Sequence, residues 1–364
     1  MRRRNIVSIL VVSLLLTSAF ANLGFAADPA NNVESLVHEN HWKRARAILE
    51  PEVAAHPQDA RNAHLLAQAK MALGDLDGAL ALAQRAVDLD GANSDYHFTL
   101  GQVYGEKADR ASIFAAGPLA LKFRKEVEKA IALNPKNLDA LDAMMQFKFE
   151  APSAMGGSRQ DAQDLAQLIA RIDPVQGCQA QAELAGMEKD PAEQQALLAQ
   201  AVQAGPQNYG ALVDLGKFYS QPNSANYAEA AKLARRAIQL EGKQAGAYWV
   251  LARVLALQKN WGELDQTLAT AERQVPDDLR PFYEAARGMW EVGAELPQAE
   301  LYVRKYLTQE PEGGEPDVAD AHRLLGLLFE KEARTAEART ELRTAIQLRP
   351  NFRAAREDLK RLGI

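Results

Sequence analysis

Nine helix-ending residues punctuate this chain at intervals near 34: Pro57, Gly91, Pro135, Pro174, Pro206, Gly242, Pro276, Pro311 and Pro350. The intervals are 34, 44, 39, 32, 36, 34, 35 and 39 residues. Twelve residues before the terminator stands Ala45, Ala79, Ala162, Ala230, Ala299 or Ala338, in six cases of nine. Five residues before it, six of nine again carry alanine: Ala86, Ala130, Ala201, Ala237, Ala271 and Ala345. Proline cannot extend a helix, and glycine ends one at little cost. A unit of this length cannot bury its apolar face alone and must stack on its neighbours. The spacing predicts an all-α solenoid of about nine helix pairs, a one-dimensional array not bound by the size limit of a single globular core.

The last copy shows the unit most fully. Leu325-Gly326, Phe329, Ala333, Ala338, Leu342, Ala345 and Pro350 put apolar or small residues on one stripe of two successive helices, with a turn near Ala333. Small residues let the two backbones approach, and the leucines and Phe329 fill the space between them. Other copies repeat the scheme: Leu100-Gly101 with Tyr104, Leu215-Gly216 with Tyr219, and Tyr248, Leu251, Ala252, Leu255, Leu268, Ala271 and Pro276. This pattern resembles the tetratricopeptide repeat (TPR) over nearly all of Asn32 to Pro350, most strongly around 61–91, 209–242, 243–276 and 317–350. The resemblance implies a right-handed superhelical solenoid of TPR-like helix pairs. After Pro350, Phe352, Ala355, Leu359 and Leu362 form a stripe expected of a C-terminal capping helix at 351–363. The copy at 177–206 matches least well and is expected to open first on unfolding.

Residues 1–26 read as an address rather than as part of the fold. Arg2, Arg3 and Arg4 precede an apolar run from Ile6 to Phe20, followed by small-residue cleavage sites before Ala27 or, as second choice, Asn22. This is the layout of a secretory signal peptide, so the remaining 27–364 is expected to be periplasmic and soluble. The alternative is an uncleaved anchor, since Ile6 to Ala26 is long enough to span a bilayer. Losing three arginines and no acids takes the net charge from −6 to −9. So acidic a chain is ill suited to nucleic acid or anionic lipid. Its one cysteine, Cys178, allows no internal disulfide and is expected to be buried as a small apolar residue.

Two copies break the period between their helices. The copy starting at Ser94 carries about ten extra residues around 105–121, and the next about five extra at 150–158 (APSAMGGS from Ala151). Both are expected as loops emerging on one edge and touching. With KAIALNP at 129–135, these insertions are similar to a subgroup of exported bacterial TPR proteins.

Enzyme chemistry finds no foothold. His38 and His41 are three apart, whereas the zincin spacing is four, and no further ligand pair follows at metal spacing. Met155-Gly156-Gly157-Ser158 lacks the Gly-Lys-Ser/Thr ending of a phosphate loop, and no Gly-x-Ser-x-Gly elbow occurs. No catalytic residue, cofactor or metal is assigned. The reading is a scaffold binding a protein or peptide through its concave groove. The alternative is a structural adaptor, or an oligomerising component of an envelope complex, docking through the insertions at 105–121 and 150–158.

Register locates the groove. In TPR arrays the first helix of each pair lines the concave face, and the resemblance implies the same here. Around 245–258, Tyr248, Leu251, Ala252 and Leu255 take the buried stripe, leaving Trp249 and Arg253 on the adjacent face. In the next copy Phe282, Ala285, Ala286 and Met289 do so, leaving Tyr283, Arg287 and Trp290. Lys217 precedes and Arg323 follows on neighbouring first helices. The expected site is therefore an aromatic and basic strip of Lys217, Trp249, Arg253, Tyr283, Arg287, Trp290 and Arg323. Its expected partner is a peptide, preferably acidic or presenting a free C-terminus. The competing reading packs the tryptophans between repeats and pairs the arginines with acids such as Glu284 and Glu291.

Overall fold

Helix starts are written into the sequence as short polar residues. Among the described residues ten helices open on an Asp, Asn or Ser whose side chain accepts a hydrogen bond from a backbone N–H of the first turn, including Asp59, Asp75, Asn93, Asn137, Asn208 and Asp317. Such a cap satisfies donors that the helix itself leaves without partners. The computed structural model describes residues 29–363, apart from 223 and 225. The expected export segment at 1–26 lies outside the described residues.

Nineteen α-helices follow one another among the described residues. The first pairs are α1 (Pro29–His38) with α2 (Trp42–Ala55), α3 (Ala60–Ala72) with α4 (Leu76–Leu89), and α5 (Ser94–Asp109) with α6 (Ile113–Leu133). Then come α7 (Leu138–Glu150) with α8 (Arg159–Ile172), α9 (Pro174–Met187) with α10 (Pro191–Ala204), and α11 (Tyr209–Tyr219) with α12 (Tyr227–Leu240). The last are α13 (Ala245–Leu257) with α14 (Trp261–Gln274), α15 (Arg280–Val292) with α16 (Leu296–Tyr306), and α17 (Val318–Lys331) with α18 (Thr335–Leu348), closed by α19 (Arg353–Arg361). The all-α solenoid of nine helix pairs and a closing helix is thus the observed fold. Among the described residues no helix is long and apolar enough to cross a membrane.

The periodic alanines mark where helices cross. All twelve at the two recurrent positions are at most 1% exposed. A side chain that small lets neighbouring backbones pack closely, and the larger Leu, Phe and Tyr residues fill the gaps beside it. From Ala182 to Ala338 most buried residues form one continuous core, with Ala245, Tyr248, Ala271 and Val275 in a small cluster beside it, whereas the first four pairs hold only smaller, separate clusters. Leu197 and Leu198 of the 177–206 copy belong to the large core, so that copy is not an isolated weak point. Helix α19 covers the end through Ala355, Phe352, Leu359 and Leu362 against Leu342 and Ala345.

Three expectations need correction. Residues 105–121 form no loop: they lengthen α5 to Asp109 and start α6 at Ile113, with Gly117 and Pro118 inside that helix. Pro118 forfeits one helical hydrogen bond near the N-terminus, too little to break a helix of 21 residues. The insertion at 150–158 is a loop with a short 3₁₀ turn at Ser153–Met155. It is held by α6 beyond the first insertion, where Arg124 Nη1 donates to the Met155 carbonyl at 2.8 Å. Pro174 opens α9 instead of merely closing α8, with Asp173 extended before it and capping its first turn. Cys178 is half-buried rather than buried, and burial pushes its thiol up.

The solenoid also closes on itself. The start of α2 meets the α14–α15 and α16–α17 connections, more than 230 residues away in sequence. His41, 2% exposed, places Nδ1 3.0 Å from Asp277 Oδ2, and Arg44 Nε donates to the same oxygen at 2.9 Å. Lys43 Nζ donates to the Glu310 carbonyl at 2.7 Å and lies 3.2 Å from Glu312 Oε2, while Arg46 grips Glu310 with both terminal nitrogens. Gly313 sits so near the end of α3 that a Cβ there would come within 2.4 Å of the Ala72 carbonyl oxygen. The first repeats therefore dock on the seventh and eighth, making a ring around an inner channel.

Candidate binding channel on the inner face

The first helices of successive pairs pack side by side, and their outward stripes line the channel. Toward the C-terminal end lies a cavity of about 440 Å³ among α13, α15, α17 and the connection before α17. Five of the seven expected groove residues line it: Trp249, Tyr283, Arg287, Trp290 and Arg323. Helix α15 buries Phe282, Ala285, Ala286 and Met289 in the core and turns Arg287 and Trp290 to this cavity; Tyr283 borders the cavity but is itself a core residue, 8% exposed and 5.4 Å from the Tyr306 ring.

The other two residues lie elsewhere. Arg253 is 7% exposed and spent on acids: Nη1 donates to Glu284 Oε2 at 3.3 Å and Nη2 to Glu291 Oε1 at 2.8 Å. A guanidinium so paired organises α13 against α15 instead of facing a ligand. Lys217 lines the neighbouring chamber and holds Nζ 5.0 Å from the Trp249 ring centre. Arg280 approaches the same ring at 5.7 Å, and Lys331 Nζ lies 5.2 Å from the Trp290 ring. Both indoles are thus flanked by cations at cation–π distance.

The cavity is not the basic strip expected: four carboxylates, Glu284, Glu291, Glu315 and Asp320, line it against two arginines, Arg287 and Arg323. Arg287, 47% exposed at its side chain, reaches Glu284 at 3.4 Å and Glu291 at 3.6 Å. Arg323 Nε donates to Asp358 at 2.6 Å. Burial is the largest influence and lowers the Arg287 guanidinium, but the neighbouring Glu284, Tyr283 and Glu291 together outweigh it and raise the group overall. Burial and the Glu284 charge push the Tyr283 hydroxyl up, so it stays a neutral donor. Asp320, one turn before Arg323 on α17, joins the wall, as do Glu315 and Pro316, which the helical register does not point to. Glu315 and Pro316 lie in the connection before α17, where helical periodicity has no bearing. Tyr306 ties that segment down through a hydrogen bond from its hydroxyl to the Pro316 carbonyl.

A second chamber of about 600 Å³ has the opposite character. Asp139 and Asp142 of α7, Glu183 of α9 and Asp214 of α11 share it with Gln176, Gln179 and Lys217. Burial, then the Asp142 charge, pushes the Glu183 carboxyl up to about 7, and burial also raises Asp139 and Asp142. These acids fall on successive first helices, a stacking the sequence displays only once the register of those copies is known. The channel therefore changes along its length from acidic to aromatic with paired arginines. His41, half of the His38/His41 pair, belongs to the ring seam.

Among solved structures, yeast Tom70 superimposes with a TM-score of 0.52 at 14% identity, over 92% of this chain and 80% of its own. A TPR protein from Parabacteroides merdae gives 0.42 at 16% identity, over 84% of this chain and 99% of its own. A thermophilic TPR protein of Thermus thermophilus gives 0.46 at 18%, over 53% of this chain and 98% of its own. No family model matches the chain, and no curated protein matches it in sequence. At such low identity the likeness to Tom70 concerns the course of the backbone. By fold, the chain is a TPR-like helical solenoid.

Proposed function

We propose that this protein is a scaffold that captures a segment of a protein or peptide partner in its inner channel, with the aromatic cavity as the main anchor. The observation that carries the reading is the convergence of Trp249, Tyr283, Trp290, Arg287 and Arg323 on one open cavity of about 440 Å³. Aromatic and arginine side chains supply most binding energy at protein surfaces, because they bury much area and form directional ionic bonds. In this reading an apolar side chain of the partner packs against the indoles that line the cavity, and its carboxylate meets Arg287 or Arg323. The preferred segment is acidic or ends in a free C-terminus. We place the scaffold in the periplasm, released from its 1–26 signal segment; N-terminal sequencing of the periplasmic form is expected to begin at Ala27.

Fluorescence anisotropy with a synthetic acidic peptide ending in a free leucine carboxylate tests the reading, with its C-terminal amide as control. Arg287→Ala should weaken binding by about 2 kcal/mol while leaving the melting temperature nearly unchanged, since Glu284 keeps Arg253 as partner. Equal binding of wild type and variant would end the assignment. Binding lost on deletion of 151–157, with Arg287→Ala silent, would favour the adaptor reading instead.

A further inference from the structure

The ring is closed by an interface unlike those between adjacent repeats. Neighbouring pairs bury alanine and leucine against each other, but no apolar cluster among the described residues crosses the seam. The cluster from Val33 to Ala69 and the core from Ala182 to Ala338 share no member. Besides the close approach of Gly313 to Ala72, what spans the seam is polar and ionic: His41, Lys43, Arg44 and Arg46 on one side, Asp277, Glu310 and Glu312 on the other.

At its centre the seam completes a helix. The residue before α2, His41, makes no side-chain cap, and the Lys43 N–H in the first turn donates instead to Glu312 Oε1 at 2.9 Å. Glu312 is 1% exposed and 269 residues distant. A carboxylate placed there satisfies a helix donor and sits at the positive end of the helix dipole. Burial nevertheless raises its carboxyl, a sign that removing this charge from water is only partly offset.

We propose that this seam is a releasable ionic clasp, so that the protein exchanges between a closed ring and an open solenoid with all its repeats folded. Salt weakens the exposed Arg46–Glu310 and Arg44–Asp277 pairs that flank the buried Glu312, whereas the apolar contacts inside each repeat are not screened. Closure is favoured because both halves belong to one chain, which keeps their effective concentration high. The connection that carries Glu310, Glu312 and Gly313 also supplies Glu315 and Pro316 to the aromatic cavity. Opening the clasp therefore frees one side of the connection that walls that cavity.

Spin labels at Ala47→Cys and Gln274→Cys, in a Cys178→Ser background of the full chain, report the distance across the seam by pulsed electron resonance. At low salt a single short distance is expected. Arg46→Glu, which faces Glu310, or 1 M NaCl should add a longer distance and raise the open-to-closed ratio by about tenfold or more. Adding Glu310→Arg to Arg46→Glu should restore the short distance. Circular dichroism should show unchanged helix content throughout. An unaltered distance in both 1 M NaCl and Arg46→Glu would overturn the clasp. So would a lengthened distance accompanied by loss of helix, because the seam would then be part of the fold rather than a joint in it.

Discussion

Two arginines that look equivalent in sequence have opposite duties. Arg253 and Arg287 each lie on a first helix beside an aromatic residue, yet Arg253 is buried between Glu284 and Glu291 while Arg287 reaches the cavity. Arg253→Ala leaves Glu284, 5% exposed, with only the long contact to Arg287, and should cost about 3 kcal/mol of stability by chemical denaturation. Glu183 gives a pH prediction. Its folded carboxyl titrates near 7, above the model-peptide value of 4.5, so the native state binds the extra proton between those values. The Glu183 contribution to stability is then greatest below about 4.5 and falls as pH rises toward 7. Glu183→Gln should therefore raise the melting temperature at pH 8, by the equivalent of about 2 kcal/mol, and leave it unchanged at pH 4. An equal shift at both pH values would show that the gain does not come from the charge.

For the helices, closeness of approach is the controlling variable. Gly288 on α15 faces α13 so tightly that a Cβ would come within 2.8 Å of both the Ala256 Cβ and the Arg253 carbonyl. Gly288→Ala should push the two helices apart and cost about 1–3 kcal/mol in thermal denaturation, although alanine is the better helix former. Gly262, with nothing near its Cβ direction, provides the control: Gly262→Ala should be neutral or slightly stabilising. The α5–α6 pair shows the limit of reading breakers locally. Gly117-Pro118 resembles a turn, but the surrounding helix formers and the packing of Val127 and Ala130 carry the helix through it.

At the scale of the whole molecule, the unequal cores matter most. One continuous core joins repeats from Ala182 to Ala338, while the chain before it relies on smaller clusters. In a repeat array each unit is held by its neighbours, so unfolding should depart from a two-state transition and begin in the first four pairs. Hydrogen exchange checks this: protection should be lower over 33–172 than over 182–338. Salt should accentuate the difference, because the first pair is also held by the ionic seam.

Most of the architecture was legible because it is local. Alanines at fixed distances from a terminator, Asn or Asp at helix starts and the Leu-Gly pairs each act within one repeat or between neighbours, and repetition turned weak signals into a fold. The aromatic cavity was partly legible for the same reason: Trp249, Tyr283, Arg287, Trp290 and Arg323 follow from the register of adjacent helices. Arg253 was not separable from Arg287, since which of two arginines is drawn into the acids depends on helix spacing to within an ångström or so. The seam was wholly illegible. Small rotations accumulate over eight pairs before Glu312 arrives at the start of α2, and no periodicity in the sequence records their sum. The repeats are determined by contacts between neighbours; the ring is decided by geometry integrated over the whole chain.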